Sequence, residues 1–206
     1  MIDPSTMKIP YISPAKIEME TRKILDKYWD QKLPIDIESI CEFDLRIQLS
    51  PIPGLKNYSS TDGFLPRKLD EIFWDPEVVP HRIRFTIAHE LGHFILHRDL
   101  IKELSFKNIQ EWIDFCIAIP DATRQMAETQ ANRFAANILV PRSLLIEEIK
   151  KMKDIINKAI DLVGKDSIDT IKDYIAVPLK KLFGTSEQTI KIRIENEIDN
   201  IFDIIK

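Results

Sequence analysis

Phe85-Thr86-Ile87-Ala88-His89-Glu90-Leu91-Gly92-His93-Phe94-Ile95-Leu96-His97 is an apolar run broken by three histidines and one glutamate. Residues four apart stand one turn above each other on an α-helix, so His89 and His93 aim their imidazoles at a common point. Two such nitrogens hold one metal ion, and Glu90, next in the chain, is placed to accept a proton from an attacking water. Ile83, Ile87, Ala88, Leu91, Phe94 and Ile95 supply a stripe wide enough to bury the helix. A bare H-E-x-x-H also describes two histidines on a core helix, so the pattern needs a third ligand.

The flanking sequence narrows the search. Pro76 and Pro80 bracket a turn before the motif helix, which is expected to start near His81 or Arg82, with His81 a surface or capping residue. Upstream, Ser13-Pro14 is an N-cap and first-turn pair, and Ile17, Thr21, Ile24, Leu25 and Tyr28 predict a helix to about Trp29. Pro34 opens a shorter helical segment through Cys41. Leu45, Ile47 and Leu49 then alternate as a strand, and Pro51 to Ser60 reads as a loop. Phe64-Leu65 and Glu71 to Trp74, about a polar turn, predict a hairpin whose edge either pairs with an extended peptide or merely covers the core.

Downstream, a polar loop from Leu100 leads to an amphipathic segment that Pro120 stops. Asp121 then caps a long alanine-rich helix ended by Pro141. That helix carries Glu128 and, four residues later, Asn132. Zinc hydrolases take three protein ligands and leave a fourth position open, and two histidines with one glutamate is a known set. Glu128 follows His93 at a distance that allows a loop and a returning helix. Asn132 is placed to accept a hydrogen bond from a ligand imidazole. Asp99 is the rival ligand, but Leu96 stands where a glycine would have to turn the chain towards it. His97, one turn beyond His93, is too far along the axis to ligate; it reads as a partner of a ligand, a substrate contact or a C-terminal cap. His97 and Tyr58 are the candidates for stabilising an oxyanion.

The segments Arg84 to His97 (R-F-T-I-A-H-E-L-G-H-F-I-L-H) and Glu128 to Pro141 (E-T-Q-A-N-R-F-A-A-N-I-L-V-P) resemble the ImmA/IrrE metallopeptidases, with likeness over roughly residues 13 to 145. The resemblance implies an α+β fold, a mostly helical zincin-like core with a small β-sheet or hairpin, followed by a helical C-terminal region. It implies a gluzincin-like endopeptidase with one Zn2+ per chain, His89, His93 and Glu128 as ligands and Glu90 as the catalytic glutamate. The implied substrate is a helix-turn-helix repressor, cut to release its genes. Many relatives have a second glutamate where this chain has Gln130, which leaves Glu128 the one carboxylate in that signature able to bind metal.

The expected organisation is a flexible arm over 1–12, the peptidase domain over 13–145 and a helical region over 146–206. In the last, Phe183-Gly184-Thr185-Ser186 followed by Glu187 to Arg193 reads as a helix-turn-helix pattern. Lys180, Lys181, Lys191 and Arg193 lie among Glu187, Glu195, Glu197, Asp199 and Asp203, so packing or repressor docking is favoured over DNA binding. Over 206 residues the net charge is -4, with 44% apolar and 30% charged residues, which gives no global basic field for nucleic acid. The N-terminus lacks the apolar core of a signal peptide, no apolar run is long enough to span a bilayer, and Cys41 and Cys116 form no C-x-x-C pair. A cytoplasmic protein with both thiols buried is expected. The rival reading is a module that binds a repressor, toxin or DNA through these elements without cutting, its zinc purely structural.

Overall fold

The computed structural model describes residues 6–103, 109–164, 167–198 and 201–204. The first helix, α1 (Pro14–Tyr28), starts where the sequence places it: the Ser13 hydroxyl accepts from the Lys16 backbone N–H at 3.3 Å, and Pro14 occupies the first turn. Ile17, Ile24 and Leu25 turn its apolar face inward. The next helical segment begins later than Pro34. Asp36 accepts from the Ser39 N–H at 2.9 Å and caps a single turn, α2 (Ile37–Ser39), which widens into a π-helical stretch, Ile40–Asp44. The unwinding carries the chain through Leu45 and a left-handed Arg46 (φ 57°), so the strand starts later than the alternation implies.

That strand, β1 (Gln48–Pro51), runs parallel to β3 (Glu71–Trp74), which pairs antiparallel with β2 (Gly63–Phe64). The expected hairpin is therefore present, and β1 extends it to a three-stranded sheet in the order β1-β3-β2. The predicted loop after Pro51 contains one helical turn, α3 (Leu55–Ser59), which a left-handed Gly54 (φ 74°) initiates and burial of Leu55 anchors.

The motif helix α4 (Pro80–Leu96) opens on Pro80 and buries Ile87, Ala88, Leu91 and Phe94. A short helix, α5 (Arg98–Glu103), stands where a loop was expected from Leu100, and α6 (Ile109–Ala118) is the amphipathic segment. In α7 (Asp121–Leu139), Pro120 occupies the cap position and Asp121 the first turn, a one-residue displacement of the expected cap. The helices α8 (Arg142–Lys151), α9 (Lys153–Val163), α10 (Ile168–Phe183), α11 (Glu187–Glu197) and α12 (Ile201–Ile204) follow. Between α10 and α11 the chain turns on a left-handed Gly184 (φ 62°), and Ser186 caps α11. This mostly helical α+β architecture is the expected class.

One hydrophobic cluster runs from Ile17 through Ile72, Leu91, Phe134 and Ile138 to Ile190 and Ile194, drawing on both the N-terminal elements and the C-terminal helices. Cys41 is fully buried in it; the side chain of Cys116 lies outside the described residues. Residues 6–12, expected as part of a loose arm, lie against α7: Met7 is buried, its carbonyl accepts from the Thr123 hydroxyl at 3.4 Å, and the Pro10 carbonyl accepts from Gln130. Among the described residues no helix is long and apolar enough to cross a membrane.

Candidate metal centre

Helices α4 and α7 pack against each other, with His97 beside Gln130 and His89 beside Asn132. Gly92 makes the approach possible. A Cβ at that position would stand 3.1 Å from the Ala131 carbonyl oxygen and 3.1 Å from the Phe134 Cβ, so a side chain there would press on α7 more tightly than Cβ atoms ordinarily pack. Close packing brings Glu128 to the histidine pair. His89 Nε2 is 3.1 Å from His93 Nε2 and 3.2 Å from one Glu128 oxygen, and His93 Nε2 is 3.5 Å from the other.

These separations fit a metal. Ligand atoms held tetrahedrally at zinc bond lengths lie roughly 3.3 Å from one another, and two imidazoles with a carboxylate offer a suitable donor set. His89 Nδ1 is 2.9 Å from the Asn132 amide oxygen, so a proton on Nδ1 leaves Nε2 free to ligate. Behind His93, its Nδ1 meets His97 Nδ1 at 3.0 Å, and His97 Nε2 meets the Gln130 amide oxygen at 2.8 Å. His97 is 5% exposed and shielded from the cleft by this packing, while the short helix after it carries Asp99 to the surface. Tyr58, on α3, is 69% exposed and is not part of the cleft lining, so the structure does not bring it to the histidines.

Electrostatics follow from this crowding. Burial works against ionising Glu128, but hydrogen bonds from His89 and His93 outweigh it and hold the carboxyl well below its usual range. For His89, burial is likewise overcome, here by Glu128 and Glu90, and the imidazole sits above its ordinary value. Burial and the neighbouring His89 keep His93 low, and burial and His93 bring His97 down to about 4. Glu90 is the buried member. Desolvation pushes its carboxyl up to about 7, with Glu128 adding to the effect and His89 opposing it.

The centre opens into a cleft of about 720 Å³ whose walls include β2, α4, α7 and α11. Exposed His81 stands at its rim. Gly63 forms the wall nearest Glu90: a Cβ there would fall 2.4 Å from the Thr86 methyl and 3.2 Å from the Glu90 side chain. Sequence reasoning noted Gln130 only as a departure from the family signature and gave Gly63 and the Pro10 carbonyl no part in the site; only Gly63, a glycine inside a strand pattern, carried a local signal of close approach. On the α11 wall, Arg193 is buried, its Nε donating to the Val140 carbonyl at 3.0 Å and its guanidinium paired with Glu197, so it is not free to meet a phosphate. Lys180 pairs with Glu187 at 3.0 Å and Lys191 with Asp173 at 2.6 Å; Lys181 alone of the four basic residues is exposed.

A histidine pair on one buried helix and a carboxylate on the helix packed against it, beside a small sheet, define a metallopeptidase-like domain. The model of the IrrE N-terminal-like domain, peptidase family M78, matches residues 44–195, and the chain belongs to this ImmA/IrrE metallopeptidase family. No curated protein matches the chain by sequence. Among solved structures, a Mycobacterium tuberculosis transcriptional regulator shares the fold at a TM-score of 0.53 and 15% identity over 92% of this chain. The alignment takes in 49% of that protein, so this chain spans about half its length.

Proposed function

We propose that this chain is a zinc-dependent endopeptidase acting in the cytoplasm on a helix-turn-helix transcriptional repressor, whose cleavage releases the repressed genes. The observation that carries the reading is Glu90: a buried carboxyl raised towards neutrality, next to a three-ligand set, in the floor of an open cleft. A metal serving structure alone has no use for such a group.

Bound by His89, His93 and Glu128, zinc supplies Lewis acidity, making water acidic and a substrate carbonyl electrophilic. Glu90 is placed to take a proton from the attacking water and return it to the leaving amine. Asn132 orients His89. Strand β2 stands at the edge of the sheet, the side along which an extended substrate aligns, and Gly63 sets it against Glu90. Helix α11 lines the same cleft, and the C-terminal helices dock the repressor, with DNA contact secondary because Lys180, Lys191 and Arg193 are already paired.

The test incubates the zinc-loaded chain, and its Glu90→Gln variant, with the repressor encoded beside its gene, and follows fragments by mass spectrometry. Cleavage by the parent alone is expected. Cleavage by both proteins, or by neither, would overturn the mechanism.

A further inference from the structure

We infer that the main-chain carbonyl of Pro10, acting through Gln130 and His97, fixes the tautomer in which His93 faces the metal site, which makes Gln130 a positioning residue. The inference rests on the three-ligand reading of His89, His93 and Glu128, though not on proteolysis.

The chain of contacts has one consistent proton arrangement. Gln130 is 4% exposed, and its Nε2 donates to the Pro10 carbonyl at 3.0 Å. A carbonyl oxygen only accepts, so turning the amide over would set oxygen against oxygen. The Gln130 oxygen is thereby committed to His97 Nε2, 2.8 Å away, and that nitrogen must carry hydrogen. His97 is 5% exposed and its two ring nitrogens meet Gln130 and His93, with no carboxylate among the described residues hydrogen-bonded to either, so nothing offsets the cost of a buried imidazolium and its Nδ1 presents a lone pair. His93 Nδ1, 3.0 Å from it, must then be the donor. The remaining nitrogen, His93 Nε2, is left unprotonated, and it is the atom that faces His89 Nε2 and Glu128.

The two histidines are therefore held differently. His89 relies on the amide of exposed Asn132, whose two ends can exchange by rotation. His93 is referred through two buried side chains to a backbone oxygen that cannot reverse its role. The N-terminal segment, 83 positions from His93 in the chain (93 minus 10), becomes part of the metal centre without touching it.

Long-range proton–nitrogen correlation spectra of the ¹⁵N-labelled, metal-free full chain read the tautomers directly. His97 protonated on Nε2 and His93 on Nδ1 are expected. Gln130→Leu removes both hydrogen bonds, so the single-tautomer pattern should be lost and zinc affinity, measured against a competing chelator, should fall about 10- to 100-fold. Gln130→Glu reproduces both contacts only as the protonated acid, donating to the Pro10 carbonyl and accepting from His97, and in that form should retain the pattern and most of the affinity, whereas a role in packing alone would leave the tautomers unmoved in all three proteins. His97 protonated on Nδ1, or His93 on Nε2, in the parent protein overturns the inference, even should Gln130→Leu fail to fold; so does a parent pattern in a folded Gln130→Leu. A parent chain that binds no zinc overturns the metal centre and the inference with it. Zinc binding with the expected tautomers but no cleavage of repressor leaves the inference standing and removes only the peptidase reading.

Discussion

Gly92 and Ala131 face each other across the contact between α4 and α7, and a Cβ on Gly92 would meet the Ala131 carbonyl oxygen at 3.1 Å and its Cα at 3.2 Å. The third ligand depends on that contact, because Glu128 lies on α7 one turn before it. Gly92→Ala should force the helices apart and cost about 1–3 kcal/mol of overpacking strain. Zinc affinity should fall along with thermal stability. A melt and a zinc titration of one preparation check this, and a variant that melts like the parent while binding zinc equally well would contradict it.

Glu128 leaves half of its side-chain surface to solvent, while the backbone beneath it is packed. Glu128→Ala is therefore expected to abolish tight zinc binding and leave the far-ultraviolet circular dichroism unchanged. Chelation of the parent protein should lower its melting temperature, because metal that binds only the folded form stabilises it by mass action, about 2.7 kcal/mol at a hundred times Kd. The variant should melt at the same temperature with and without chelator.

Asp75 gives a pH dependence whose sign can be worked out. Its carboxylate accepts from the backbone N–H groups of Lys56 at 2.8 Å and Glu77 at 2.9 Å, and these hold its pKa below the ordinary 3.8. A depressed folded-state pKa contributes stability that is complete above the unfolded value and lost as pH falls through the folded one. Asp75→Asn should accordingly melt below the parent at neutral pH, with the difference narrowing below pH 3.8. A gap that is constant across this range would remove the carboxylate's charge from the explanation.

Arg193 is 2% exposed and joins α11 to the end of α7 through the Val140 carbonyl. Arg193→Ala strands Glu197, and breaking such a buried pair costs about 3–5 kcal/mol. Arg142 also reaches Glu197, at 3.5 Å, which places the expected loss at the lower end, about 3 kcal/mol. Urea unfolding measures it. The parent's affinity for duplex DNA should be weak and should not depend on this arginine.

The parts of the molecule legible in the sequence are those written in local spacing. The His89 and His93 pair, the Ser13 cap, the β2–β3 hairpin and the placement of Glu128 and Asn132 on one face all follow from periodicity and capping chemistry within a turn or two. What escaped depends on contacts distant in the chain. Nothing near Pro10 or Met7 announces that their carbonyls meet α7, and a proline-containing segment with little periodicity resembles an arm. The π-helical stretch at Ile40–Asp44 and the turn at Leu55–Ser59 are held by tertiary burial of Cys41 and Leu55 and override the local pattern. Tyr58 shows the converse: an aromatic side chain in a loop near the motif looked chemically useful, yet α3 turns it outward.

Arg84 sits on α4 five positions before His89, and its guanidinium reaches the Gly184 carbonyl at 3.2 Å, Glu38 at 3.1 Å and the Ile35 carbonyl. One side chain thus ties the turn after α10 and the start of α2 to the helix that carries the histidines. The Gly184 turn is consequently a remote handle on the helix that carries His89 and His93. A ligand, crosslink or inserted residue that displaced it would pull on α4 from a distance.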